Sequence, residues 1–196
     1  GCPGLQPVVL VPVDPHRGGP PERVEPVLPV RPHETPAAPA QLDVGTAIGD
    51  LALSLAALPG FCGRVVGIDW SPRMIAAATE SADRRGLGDS VRFEVVDLRE
   101  GLPFEEAEFD LVFCLGLLET LPHPDAILGE LRRVLAPGGR LILSLYRGWS
   151  AMGATLSLDW YREHLKALGL SELEVLPCRR NQDVMVARLT ERESHA

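Results

Sequence analysis

Acids and glycines recur between residues 43 and 97 at intervals that suit recognition of a nucleoside. The run Leu42-Asp43-Val44-Gly45-Thr46-Ala47-Ile48-Gly49-Asp50 sets glycines on either side of a chain reversal, and Val65-Val66-Gly67-Ile68-Asp69 ends an apolar stretch in a carboxylate. A buried strand over Gln41 to Val44 must turn into a helix near Gly49 within a few residues. Such a turn needs backbone angles, and a close approach of ligand, that a side chain would block. A second strand, Arg64 to Ile68, delivers Asp69 to the carboxyl edge of a parallel sheet, where ligands of open α/β folds sit. An acid there accepts hydrogen bonds from the two hydroxyls of a ribose.

The same strand, turn, helix, strand and acid also serve dinucleotides, so the glycines alone do not name the ligand. Three features favour a different nucleoside. Asp43 lies inside the first strand, just before the turn, where it would repel a pyrophosphate and suit a cationic ligand. Val91-Arg92-Phe93-Glu94-Val95-Val96 reads as a third strand and delivers Asp97, placed to accept from an exocyclic adenine amine. Two apolar runs near the end, Leu173 to Leu176 and Asp183 to Leu189, suit a closing hairpin rather than another crossover.

From about Ala40 to Leu189 the chain resembles the class I S-adenosylmethionine-dependent methyltransferases, of the small-molecule type that includes the ubiquinone and menaquinone C-methyltransferases. The residues that carry the resemblance are Leu42 to Ala52, Gly67-Ile68-Asp69-Trp70-Ser71 with Met74, and Val96-Asp97-Leu98 with Leu102-Pro103-Phe104. Phe109-Asp110-Leu111-Val112 and the run from Leu131 to Leu141 around Pro137-Gly138-Gly139 complete it. The resemblance implies S-adenosyl-L-methionine as cofactor. Gly45 and Gly49 would border its methionine part, with Asp43 supporting the turn and the ammonium end, and Asp69 would hold the ribose. Trp70 and Met74 would pack on the adenine, Asp97 would meet its amino group, Leu98 would touch its ring, and Cys114 with Leu115 would pass beneath the sulfonium. Ala47 departs from the family, which usually has glycine there.

A Rossmann-like, doubly wound, mostly parallel seven-stranded sheet with a C-terminal antiparallel hairpin is therefore the expected α/β fold. Helices are expected over Gly49 to Ala57, Pro72 to Arg85, Pro124 to Val134 and Leu158 to Leu168. The remaining strands are expected over Asp110 to Cys114 and Arg140 to Tyr146. Ile127, Leu128, Leu131, Val134 and Leu135 recur on one helical face before Pro137-Gly138-Gly139 stops the helix. The chain divides near Ala40: residues 1–40 hold eleven of the 18 prolines, which precludes a long helix and implies an extended segment. Residues 41–190 form the cofactor-binding domain and 191–196 a polar tail. No covering helix can be read before the first strand.

Methyl transfer from a sulfonium asks chiefly for in-line alignment and exclusion of water. A general base is needed only when the acceptor holds a proton. Glu119 and Tyr146 are the candidates, ahead of His123, set between two prolines, and Tyr161, expected to pack on its own helix. The fourth strand ends Phe113-Cys114-Leu115-Gly116-Leu117, without the Asn or Asp, Pro, Pro, aromatic motif linked to methylation of nucleic-acid amines. A small-molecule acceptor is expected.

Composition agrees. A formal net charge of -8 disfavours a nucleic-acid surface, which needs Lys and Arg. No run approaches the roughly 20 apolar residues of a membrane span. The first residues lack the basic start and apolar run of a signal peptide, so a cytoplasmic protein is expected. Cys2, Cys62, Cys114 and Cys178 are far apart, suggesting neither a metal site nor a disulfide framework. Association into a homo-oligomer is left open. Two other readings stand beside the enzyme: a non-catalytic or partner-dependent S-adenosylmethionine-binding protein, and an NAD-dependent oxidoreductase, which Asp43 and the closing hairpin oppose.

Overall fold

The structure, a computed structural model, describes residues 38–146, 156–179 and 182–190. The extended segment expected before Ala40, apart from residues 38–40, and the tail expected over 191–196 lie outside the described residues. Seven strands form one sheet in the order β3-β2-β1-β4-β5-β7-β6. They are β1 (Ala40–Val44), β2 (Arg64–Asp69), β3 (Val91–Val95), β4 (Phe109–Cys114), β5 (Leu135–Tyr146), β6 (Leu170–Arg179) and β7 (Gln182–Leu189). The first five run parallel, while β7 inserts antiparallel between β5 and β6. The doubly wound sheet and the closing hairpin are thus as expected.

Helices α1 (Asp50–Ala56), α2 (Pro72–Arg85), α3 (Pro124–Val134) and α4 (Leu158–Ala167) connect the strands. Leu128, Leu131 and Val134 of α3 join Tyr161 and Leu165 of α4 in one core under β1, β4 and β5, while Ala52, Leu55 and Ala56 of α1 pack on the opposite face. Local chemistry sets the ends of α2. Ser71 caps its first turn by accepting from the Met74 N–H, Pro72 supplies a helical φ without needing a donor, and Gly86 closes it at φ 66°. None of the helices among the described residues is long and apolar enough to cross a membrane.

Two strands are longer than the apolar runs suggest. β5 begins at Leu135, paired with Phe109, before an irregularity that delays the next pairing to Leu111 with Arg140. Pro137-Gly138-Gly139 therefore ends the helix without ending the chain's place in the sheet. β6 begins at Leu170 and reaches Arg179, with register shifts between Ser171 and Glu174 and between Pro177 and Arg179. Those shifts break the alternation by which a strand is read from sequence.

Between β3 and β4 there is only a 3-10 turn, Leu98–Glu100, and a loop. An ion pair on α3 grips that loop. Arg133 donates to the carbonyls of Leu102 and Phe104, and Glu130 accepts the Leu102 N–H while pairing with Arg133. Phe104 is then pinned edge-on against Phe109.

The centre of the fold is the turn after β1. Every residue of β1 is buried, Gln41 and Asp43 included. Gly45 and Thr46 both donate their N–H to the Ile68 carbonyl at 2.9 Å, Ala47 donates to Asp69, and Gly49 donates to the Thr46 carbonyl at 2.8 Å. The hydroxyl of Thr46 donates back to Asp43 at 2.6 Å. Gly45 and Gly49 sit at φ 77° and 82°, which glycine tolerates. Ala47 also adopts a positive φ, 49°, where its Cβ crowds the following carbonyl.

The alanine at this left-handed position costs stability that glycine would not. Ala47→Gly should therefore raise the free energy of unfolding by about 0.5–1 kcal/mol, the strain relieved being partly offset by the looser unfolded chain. Urea titration of the two proteins measures it; a variant less stable than its parent would contradict the strain. Asp43 gives a second expectation. Burial pushes its carboxyl up from 3.8 to about 6, against the opposing hydrogen bonds from Thr46 and the Ala52 backbone. A raised carboxyl contributes its stability fully below the unfolded value and loses it as pH rises through the folded one. Asp43→Asn, which cannot ionise, should gain roughly 2 kcal/mol relative to the parent between pH 4 and pH 7.5. A difference independent of pH would contradict the burial cost.

Candidate functional site

The parallel register aligns the chain where β1, β2 and β4 end. Val44 pairs with Ile68 on one side and with Cys114 on the other, so Gly45, Asp69 and Leu115 follow side by side at the carboxyl edge of the sheet. A cleft of about 380 Å³ opens there. Gly45, Ile68, Asp69 and Trp70 form one wall, Val96 to Arg99 the outer end, and Leu115 to Leu117 with Thr120, Leu121 and Pro122 the opposite wall. Its volume falls in the range of small-molecule sites, and it lies at the strand ends where open α/β sheets take ligands.

Asp69 organises the near wall. One carboxylate oxygen accepts the Ala47 N–H at 3.1 Å and the other the Ser71 N–H at 2.9 Å, so a single acid joins the turn after β1 to the turn after β2. Each oxygen keeps lone-pair capacity for a further donor. Across the cleft, Leu117 leans over Gly45. A Cβ on Gly45 would stand 2.9 Å from Leu117 Cδ2, so glycine is what lets the two walls approach. Trp70 is 74% exposed although it lines the cleft, which leaves an indole face available to a flat partner.

The outer end carries opposed charges. Asp97 accepts the Arg99 backbone N–H at 3.0 Å and the Arg99 guanidinium at both oxygens, through Nε and Nη2. The Arg99 hydrogen bonds, side chain before backbone, hold the Asp97 carboxyl down to about 2.

Of the residues expected from sequence, Gly45, Asp69, Trp70, Asp97, Leu98 and Leu115 line the cleft together. Asp43, Ala47, Gly49, Met74 and Cys114 do not. Asp43 is buried beneath the turn with its carboxylate on Thr46, where it supports the loop from below. Ala47 reaches the site through its N–H on Asp69. A Cβ on Gly49 would lie 2.6 Å from Phe93 Cζ, so this glycine serves contact between α1 and β3. Cys114 is wholly buried, its thiol pushed up to about 12 by burial and then by Glu119 and Asp43.

Sequence reasoning passed over Arg99, Gly116, Leu117, Thr120, Leu121 and Pro122 as cleft residues. Their signal was positional rather than chemical: they follow the ends of β3 and β4, and carboxyl ends of strands are where such folds bind. The candidate bases also sit differently from expectation. Tyr161 does more than pack on its helix: it is fully buried and donates to Glu119 Oε1 at 3.0 Å. Burial raises the Glu119 carboxyl, and its Oε2 is a buried oxygen without a hydrogen-bond partner. Tyr146 adjoins the cleft-lining Gly116, since a Cβ there would be 3.2 Å from its hydroxyl. Ser144 receives the Gly116 N–H at 2.8 Å and fixes that corner.

The fold is shared widely. The cyclase SpnF superposes with a TM-score of 0.70 at 22% identity, over 80% of this chain and 77% of that one. The demethylmenaquinone methyltransferase of Thermus thermophilus is 45% identical over 103 residues, which are 52% of this chain and 44% of the relative. The 27-O-demethylrifamycin SV methyltransferase of Amycolatopsis mediterranei is 31% identical over 166 residues, covering 76% of this chain and 58% of the relative. The chain thus spans about half the length of the curated relatives it matches. The model of one family, the methyltransferase domain, matches residues 38–174, from the start of β1 into β6. With most of its length matched by that model, the chain belongs to the methyltransferase-domain family of class I, the S-adenosylmethionine-dependent kind.

Proposed function

We propose that this domain binds S-adenosyl-L-methionine in the cleft at the carboxyl edge of the sheet and catalyses methyl transfer to a small-molecule acceptor. The observation that carries the reading is the state of the turn after β1. In a dinucleotide site a glycine turn offers its N–H groups to phosphate. Here the N–H groups of Gly45, Thr46 and Ala47 already bond to the Ile68 carbonyl and the Asp69 carboxylate, and Gly49 bonds to Thr46. The turn therefore presents the Asp69 carboxylate to its ligand in place of these four N–H groups. That favours sugar hydroxyls and a cationic centre over a pyrophosphate.

On this reading Asp69 accepts from the ribose, Trp70 and Leu98 flank the base, Asp97 meets the base amine, and Gly45 with Leu115 to Leu117 borders the methionine portion. When bound, the cofactor supplies a methyl group made electrophilic by its sulfonium sulfur. The chain's share is alignment and water exclusion. Leu117, Leu121 and Pro122 give the far wall its apolar lining. Tyr146, beside Gly116, is one group placed to meet an acceptor, and Glu119 steadies Tyr161 and the start of α4. The relatives' acceptors, by their names a demethylmenaquinone and a rifamycin precursor, support an acceptor that is an organic small molecule. Cytoplasmic placement accords with such biosynthetic chemistry.

Calorimetric titration of the full chain tests the ligand class: S-adenosylhomocysteine should bind and NAD should not, and the reverse order would overturn the proposal. Asp69→Ala should weaken S-adenosylhomocysteine by roughly 1–3 kcal/mol, because ribose hydroxyls lose a charged acceptor. Unchanged affinity would remove Asp69 from the site. A screen of acceptors with methyl-labelled cofactor then identifies the substrate.

A further inference from the structure

We infer that Arg99 is a latch on the outer end of the cleft, an internal competitor that a ligand amine must displace to reach Asp97. The latch rests on the proposed nucleoside site and adds a residue to it. Arg99 and Asp97 both line the cleft. The Asp97 carboxylate is fully used by its neighbour two residues on: Oδ1 takes the Arg99 backbone N–H and Nε, at 3.0 and 2.9 Å, while Oδ2 takes Nε at 3.0 Å and also Nη2. A carboxylate oxygen accommodates about two donors, so no further donor enters unless the guanidinium leaves.

Leaving is easy for this arginine. Its side chain is 85% exposed against 35% for Asp97, so a released guanidinium regains water at once. The backbone N–H of Arg99 remains on Oδ1 and keeps the carboxylate aimed after the side chain has swung away. An exocyclic amine offers two N–H donors in the plane of a base, which replaces the guanidinium with a like set of hydrogen bonds. A base with a carbonyl in that place presents an acceptor to an acceptor and cannot. The latch thus raises the threshold for an amine that takes Asp97 and leaves a ligand without one little affected.

The test is calorimetry on the full chain with two probes, S-adenosylhomocysteine and its purine-riboside analogue lacking the amine, using the parent, Arg99→Ala and Arg99→Gln. Thermal melting should not distinguish the three, because Arg99 is exposed and anchors no core residue. Arg99→Ala should bind S-adenosylhomocysteine roughly two- to fivefold more tightly, the scale of an exposed ion pair with good geometry, and the gain should shrink as salt is raised. The amine-free analogue should gain little. Arg99→Gln, which offers a weaker neutral donor, should fall between. Equal or weaker binding of S-adenosylhomocysteine by Arg99→Ala, or an equal gain for both probes, would overturn the latch while leaving the nucleoside site intact. Failure of parent and variants alike to bind S-adenosylhomocysteine would overturn the site and the latch together.

Discussion

The arrangement depends on one carboxylate holding two turns at a fixed separation. Asp69 receives the N–H of Ala47 from the loop after β1 and the N–H of Ser71 from the loop after β2, one on each oxygen. Parallel strands deliver these loops to the same edge but do not fix their distance, since the ladder of hydrogen bonds ends at Val44 and Ile68. Beyond that point Asp69 takes over, reinforced by the Ile68 carbonyl, which accepts from both Gly45 and Thr46. The left-handed backbone at Gly45 and Ala47 follows from the need to aim successive N–H groups at these two acceptors. The near wall of the cleft is rigid for the same reason.

That rigidity has costs placed around it. Asp43 is buried beneath the turn, where desolvation disfavours its charge, and is retained with hydrogen bonds from Thr46 and from the first turn of α1. Ala47 occupies a conformation that suits glycine better. Both features lower stability at the place where the ligand is expected, a pattern common where a site needs geometry that packing alone would not choose. The far wall is held differently, by Gly116 on Ser144 and by Glu119 on Tyr161, hydrogen bonds that tie the end of β4 to β5 and to α4.

Elements with strong local rules were legible in the sequence. α2 follows from Ser71, Pro72 and Gly86, and β2 from an apolar run ending in an acid. The closing hairpin was readable as a pair, but the full length of β6 was not, because polar residues and two register shifts hide its ends. In the site, the acids and glycines were visible because their types are chemically marked. Leu117, Thr120 and Pro122 were not, because position at the end of β4 rather than side-chain chemistry brings them to the cleft. The partner of Tyr161 was hidden for a related reason: its ring meets Trp160 of its own helix, yet only the tertiary fold sets Glu119 opposite its hydroxyl.

The central claim is that Asp69 and the turn it organises grip the sugar of a sulfonium nucleoside. A crystal structure of the protein grown with S-adenosylhomocysteine tests it most directly. Both ribose hydroxyls should lie within hydrogen-bonding distance of the Asp69 carboxylate, with the Ala47 and Ser71 N–H bonds preserved. A ligand bound elsewhere, or one seated in the cleft with a phosphate-like group against the turn and its sugar away from Asp69, would contradict it.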